Sequence, residues 1–168
     1  MNKNKILTFM ITLVFMCTLI TGCGKDPAAK ELEKFANRDM TKINVTYSKF
    51  VKDYQKVTGM TDSKAQIQML EDVILVELSD IKKQVAKIEL KEKEIIKLKD
   101  MYAESIQGYI DGIENCKKAL KKKDNKALQE ANQQVLKVAD KLNAYNSYFN
   151  ELAKKYNMKV LDTKTNAN

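Results

Sequence analysis

Few residues in this chain could do chemistry. Its 168 residues include no histidine, which removes the commonest general base and the commonest metal ligand. A di-iron or di-manganese centre in a helical bundle takes inward carboxylates and Glu-x-x-His pairs. No such pair exists here, and Glu77, beside an apolar stripe, is expected at its edge in water. Nucleophilic catalysis needs an activated side chain with a positioned base. Ser48, Ser63, Ser79, Ser105 and Ser147 fall on helical stretches or at a helix start, and none sits in a glycine-rich elbow. Cys116 has Lys117 and Lys118 as neighbours, and such charges lower a thiol pKa. Its spacing, however, puts it on an apolar stripe, facing inward and away from them. The sequence therefore predicts no catalytic residue, no metal site and no cofactor, and the chain reads as a non-enzyme.

Two constellations could bind rather than react. Lys117, Lys118, Lys121, Lys122 and Lys123 crowd a seven-residue stretch. Arg38 is the only arginine, so the planar fork that grips phosphate or carboxylate with two bonds is nearly absent. A lysine excess attracts polyanions diffusely instead, and lysines at a helix C-terminus are also favoured by the helix dipole alone. The tyrosines form the second group. Tyr47, Tyr54, Tyr102, Tyr109, Tyr145 and Tyr156 lie on apolar stripes and Tyr148 lies beside one. Rings inside with hydroxyls reaching water account for them, and the alternative is an aromatic-lined pocket for a small molecule or peptide. Asn44-Val45-Thr46 matches a glycosylation acceptor pattern but falls mid-helix and carries no weight.

The elements that must position these residues are helices. One proline and five glycines are hard to reconcile with a turn-rich β-fold. Ala36, Met40, Ile43, Tyr47, Phe50, Tyr54 and Val57 recur in steps of four and three, one stripe of a helix from Lys30. Gly59 is expected to end that helix as a left-handed cap, with Thr61 or Asp62 starting the next. A second stripe runs from Ile67 to Ile88. A third runs from Ile95 through Cys116 to Leu120, after a break at Glu89, Leu90 and Lys91 where Glu92 and Glu94 read as first-turn acids. Asp124 or Asn125 caps a fourth, carried by Leu128, Ala131, Val135, Val138, Leu142, Tyr145, Phe149, Leu152 and Tyr156, with Asn157 as its stop. Four amphipathic helices on short connections bury their stripes only against one another, which predicts an all-α, up-down-up-down four-helix bundle. Without the break at residues 89–91, helices two and three would fuse into one rod.

The N-terminus has a different character. Lys3 and Lys5 precede an apolar run, Ile6 through Ile20, shorter than the roughly 20 residues that span a bilayer. The run ends Leu19-Ile20-Thr21-Gly22-Cys23-Gly24. Residues 1–24 thereby resemble the lipobox signal of bacterial lipoprotein precursors. The resemblance implies cleavage after Gly22 and a diacylglyceryl group on the Cys23 thiol, and two acyl chains suffice for a stable anchor. Cys17 would leave with the signal, and Cys116 would have no intramolecular partner.

The expected organisation is a signal peptide over 1–22, a lipidated tether over 23–29, a bundle over 30–157 and a flexible tail over 158–168. So short a tether holds the bundle close to the membrane's extracytoplasmic face. In an upright bundle the Lys117 to Lys123 cluster points away from lipid, suited to an anionic wall polymer or an acidic envelope protein. Export sets nucleic acid aside as a partner despite the net charge of +8. The function expected is a non-enzymatic binding or scaffolding lipoprotein of the cell envelope. The alternative is a ligand-binding lipoprotein with its pocket among the tyrosines.

Overall fold

The computed structural model describes residues 18–21 and 26–162. Cys23 lies outside them, as do Lys3, Lys5 and Cys17. Among the described residues the fold is all-α apart from one pair of short strands, β1 (Thr18–Thr21) and β2 (Lys159–Asp162).

The first helical arm spans residues 27–59. It consists of α1 (Pro27–Lys34), a π-helical segment (Phe35–Met40) and α2 (Thr41–Gly59). It starts three residues earlier than its stripe suggests. Asp26 is the N-cap, accepting from the Ala28 amide at 2.8 Å, and Pro27 occupies the first helical position, where a missing N–H costs nothing. Pro27, Ala28 and Ala29, read from sequence as tether, are thus the first turn, and Ala28 and Ala29 are buried. The second arm, residues 63–86, is α3 (Ser63–Met69), a second π segment (Leu70–Ile74) and α4 (Leu75–Ala86). Asp62 caps it, accepting from the Lys64 amide at 2.9 Å. α5 (Lys93–Lys122) and α6 (Asn125–Lys155) are uninterrupted.

The expected break between arms two and three is present and wider than three residues. α4 stops at Ala86 and Glu92 is the extended N-cap of α5. Glu92 makes no side-chain cap bond; the capping acid comes from another element. Glu31 of α1 accepts from the Lys91 amide at 3.0 Å and the Glu92 amide at 2.7 Å, fixing the start of α5 to the start of the first arm. At the same end Glu94 takes Lys155 at 2.7 Å and the Tyr156 hydroxyl at 2.6 Å, which ties down the end of α6.

The helix ends show which residues supply left-handed backbone. Gly59 does not: Met60 follows it in an extended conformation, and the described glycines have no positive φ. Lys123 (φ 55°) and Asn157 (φ 51°) do. In each case the next amide reaches back to a carbonyl one turn earlier, Asp124 to Ala119 at 3.0 Å and Met158 to Ala153 at 2.8 Å, closing a Schellman motif. Asn157 thus stops α6 as expected. Met158, counted from sequence with the flexible tail, is buried and Lys159–Asp162 forms β2; residues 163–168 lie outside the described residues.

One core runs through the four arms. Every stripe position named above for arms one, three and four is buried, except Leu120 and Tyr156, which are half-buried. In arm two, Leu70, Ile74, Leu78, Ile81 and Val85 are buried and Ile67 and Ile88 half-buried. α5 packs on α4 and most closely on α6. That approach depends on Gly108 and Gly112. A Cβ on Gly112 would lie 2.7 Å from Val135 Cγ2 and 3.2 Å from its backbone nitrogen, and one on Gly108 would lie 3.0 Å from Val138 Cγ2. Gly112→Ala gains roughly 1 kcal/mol in helix propensity but must push backbone as well as a methyl, at a cost of about 1–3 kcal/mol. Net destabilisation is expected, read as a lower denaturation midpoint; a raised midpoint would mean that α5 and α6 are free to move apart.

Candidate functional site

The lysine-rich segment ends α5, and the α2–α3 turn lies against it. Between them opens a cleft of about 780 Å³. Its floor is apolar, from Met60, Ile67, Leu120 and Leu128, and Lys64, Lys121 and Lys123 line it. Local chemistry explains the walls. Gln66 is buried and donates to the Met60 carbonyl at 2.8 Å and the Val57 carbonyl at 3.3 Å, holding shut the end of α2. Across the cleft, Asp124 caps α6 by accepting from the Ala127 amide at 3.0 Å.

The five lysines separate into two sets. Lys117 reaches Glu114 at 3.2 Å and Glu71 at 3.8 Å, and Lys121 reaches Glu71 at 3.2 Å. The hydrogen bond from Lys121, helped by the charge of Lys117, holds the Glu71 carboxyl below its ordinary range. These two lysines fasten α5 to the second arm. Lys118, Lys122 and Lys123 are exposed and make no ion pair among the described residues, and Lys64 on the opposite wall is the same. Four lysines without an ion pair among the described residues therefore stand at one end of the molecule; Lys64 and Lys123 line the cleft, and Lys118 and Lys122 lie outside it. The second arm's Lys64 and the acid Glu71 were not legible as site residues, because neither is near the lysine run in sequence.

No protein-family model, curated protein or solved structure matches the chain.

Tyr47, Tyr54, Tyr102, Tyr109 and Tyr145 are core, while Tyr148 and Tyr156 are half-buried at its edge. Tyr47, Tyr102 and Tyr109 are fully buried, rather than reaching water with their hydroxyls. Burial pushes the Tyr109 hydroxyl up to about 12, with Tyr47 interacting beside it. Rings pack on rings: Phe50 lies 5.6 Å from Tyr47, 5.8 Å from Tyr54 and 5.5 Å from Tyr109, and Tyr102 lies 5.5 Å from Tyr145. Those tyrosines line neither the lysine-rich cleft nor a smaller one of about 380 Å³ between the first arm and the end of α4. The smaller cleft carries Lys34, Arg38, Lys42 and Lys87, with Arg38 bonded to Asp39 at 2.9 Å, at the end where the chain enters the fold.

The remaining reactive groups are accounted for by packing. Cys116 faces inward with its Sγ 3.4 Å from Asn132 Oδ1, and burial raises the thiol to about 12, opposite to what a nucleophile requires. Ser105 is buried and donates to the Met101 carbonyl at 2.9 Å. Glu77 is not at a wet edge. It is buried, paired with Lys49 at 3.0 Å and beside Asp53, which in turn holds Lys56 at 2.6 Å. Desolvation raises the Glu77 carboxyl, while the Lys56 hydrogen bond lowers that of Asp53. The four groups tie α2 to α4 as a charge-balanced cluster. Among the described residues no group of three or more His, Cys, Asp or Glu side chains could hold a metal ion, and no helix is long and apolar enough to cross a membrane.

Proposed function

We propose that this chain is the precursor of an extracytoplasmic lipoprotein, anchored through a diacylglyceryl group on Cys23. We further propose that it folds as an up-down-up-down four-helix bundle, whose far tip docks a polyanionic wall polymer without catalysis. The observation that carries the docking is the position of the uncompensated cations. Glu31 ties the chain's point of entry to the start of α5, and the cleft lies at the other end of that helix. Thirty residues at 1.5 Å each separate the two by about 45 Å. With the anchor at the entry end, an upright molecule holds the lysine tip well beyond headgroup contact. A solvated lysine rim without an arginine fork suits a repeating polyanion, whose charges need no fixed geometry. An acidic envelope protein would meet the same rim.

A second reading, a ligand-binding lipoprotein, draws support from the cleft's volume, within the range of about 300–1,000 Å³ typical of small-molecule sites, and from its apolar floor. Its pocket would then be at the tip and not among the tyrosines.

The anchoring is tested with Cys23→Ala in the native host. The variant should keep its N-terminal segment and carry no acyl group by mass spectrometry, since the acyl-bearing thiol is what licenses processing. Wild-type protein recovered from membranes with Met1 still in place and an unmodified Cys23 thiol would contradict the lipoprotein reading.

A further inference from the structure

The strand pair holds a consequence for the processed protein. β1 lies antiparallel to β2, with Ile20 opposite Val160 and Thr21 opposite Lys159. Beyond this pairing, the Ile20 backbone is gripped from its other side by a single side chain. Asn37 Oδ1 accepts from the Ile20 amide at 3.0 Å, and Asn37 Nδ2 donates to the Ile20 carbonyl at 2.8 Å. The Ile20 side chain is fully buried in the core cluster. Asn37 sits on the π segment Phe35–Met40, the one place where the first arm departs from α-helical winding, and this segment and α1 are what β1 packs against. Together these form a built slot for an extended chain: a strand edge on one flank, an amide clamp that reads backbone on the other, and a socket for one aliphatic side chain.

Residues 18–21 precede the expected cleavage point after Gly22. We infer that processing empties this slot, and that the anchored protein uses it to take an extended segment of another envelope polypeptide by strand addition to Lys159–Asp162. This inference rests on the lipoprotein reading. The occupant's chemistry follows from the segment that fills the slot here. It is extended, runs antiparallel to β2, and presents an uncharged aliphatic residue where Ile20 sits. Main-chain pairing gives such complexes their affinity, and the alternate side-chain pocket gives selectivity. Emptying the slot would leave the Lys159–Asp162 backbone without its sheet partner and the Asn37 amide unmatched, and unpaired backbone groups of this kind recruit a strand. α1, which β1 packs against, begins at Pro27, four residues after Cys23, so with the anchor on Cys23 the slot is at the anchored end of the fold and its partner is a membrane-adjacent stretch of chain. The lysine tip, at the other end of the bundle, is left free for its own partner.

The test uses protein purified from membranes, its N-terminus read by mass spectrometry, and a short soluble peptide carrying Thr-Leu-Ile-Thr. The peptide should bind saturably. Asp in place of the isoleucine should weaken binding at least about tenfold, since the socket offers that charge no partner. The protein variant Asn37→Ala, which loses two hydrogen bonds to the peptide backbone, should weaken it about tenfold. Its melting curve, measured alongside, shows whether the fold is intact; should it not be, the peptide variant alone carries the comparison. A processed N-terminus with no saturable peptide binding overturns the slot and leaves the lipoprotein reading standing. An unprocessed N-terminus overturns both, because residues 18–21 then remain in place as a permanent strand of the fold.

Discussion

Ile106→Asp is expected to lower stability by about 3 kcal/mol or more, a large fraction of the roughly 5–15 kcal/mol that separates a folded domain from its unfolded chain. Ile106 is fully buried near the middle of α5, the helix that contacts every other arm. A carboxylate there has no cation within the apolar layer, so the cost is that of an uncompensated buried charge. Ile106→Val, which keeps shape and removes one methylene, should cost about 0.5–1.5 kcal/mol. Denaturant titration followed by circular dichroism gives both numbers. An unchanged midpoint for the aspartate variant would place the α5 stripe outside the core.

Helix-scale structure was legible because it follows from local rules. Steps of three and four set the buried face whatever the partner, and Asp62, Asp124 and Asn157 mark helix boundaries through bonds to their own neighbours. What escaped is non-local. Glu31 caps a helix about sixty residues away, and Asn37 clamps a strand seventeen residues away, so no window of sequence holds both partners. The two π segments coincide with consecutive four-residue steps, at Leu32, Ala36 and Met40 and at Leu70, Ile74 and Leu78. Leu98, Tyr102 and Ile106 take the same steps within an unbroken α5, so the pattern alone does not specify the wider turn. Glu77 was misplaced because the sequence gives no sign that Lys49 of another helix reaches over it. Gly59 resembled a left-handed cap by residue type, yet that conformation fell to Lys123, where the tight α5–α6 connection demanded it. At the tip, the lysine run was visible, but its division into fastening and free cations depended on Glu71, about fifty residues away.

That division makes the docking claim specific. Replacing Lys64, Lys118, Lys122 and Lys123 with glutamine removes the uncompensated charge and keeps helix propensity along α5. Lys117→Gln with Lys121→Gln removes two charges already matched by Glu71 and Glu114. The first variant should lose most of its affinity for a polyanion with little change in melting temperature, while the second should lose much less affinity. The binding itself should fall steeply with ionic strength, because exposed charges are screened beyond about 8 Å at physiological salt. The most direct measurement is therefore a salt series of equilibrium binding between the full-length protein and a phosphodiester-linked polyol polymer. For the wild type, saturable binding that weakens with each increment of salt is expected, with at least about tenfold lower affinity for the four-glutamine variant at low salt. Equal affinity of wild type and variant across the series would contradict the account and reduce the lysine tip to a solvated helix end.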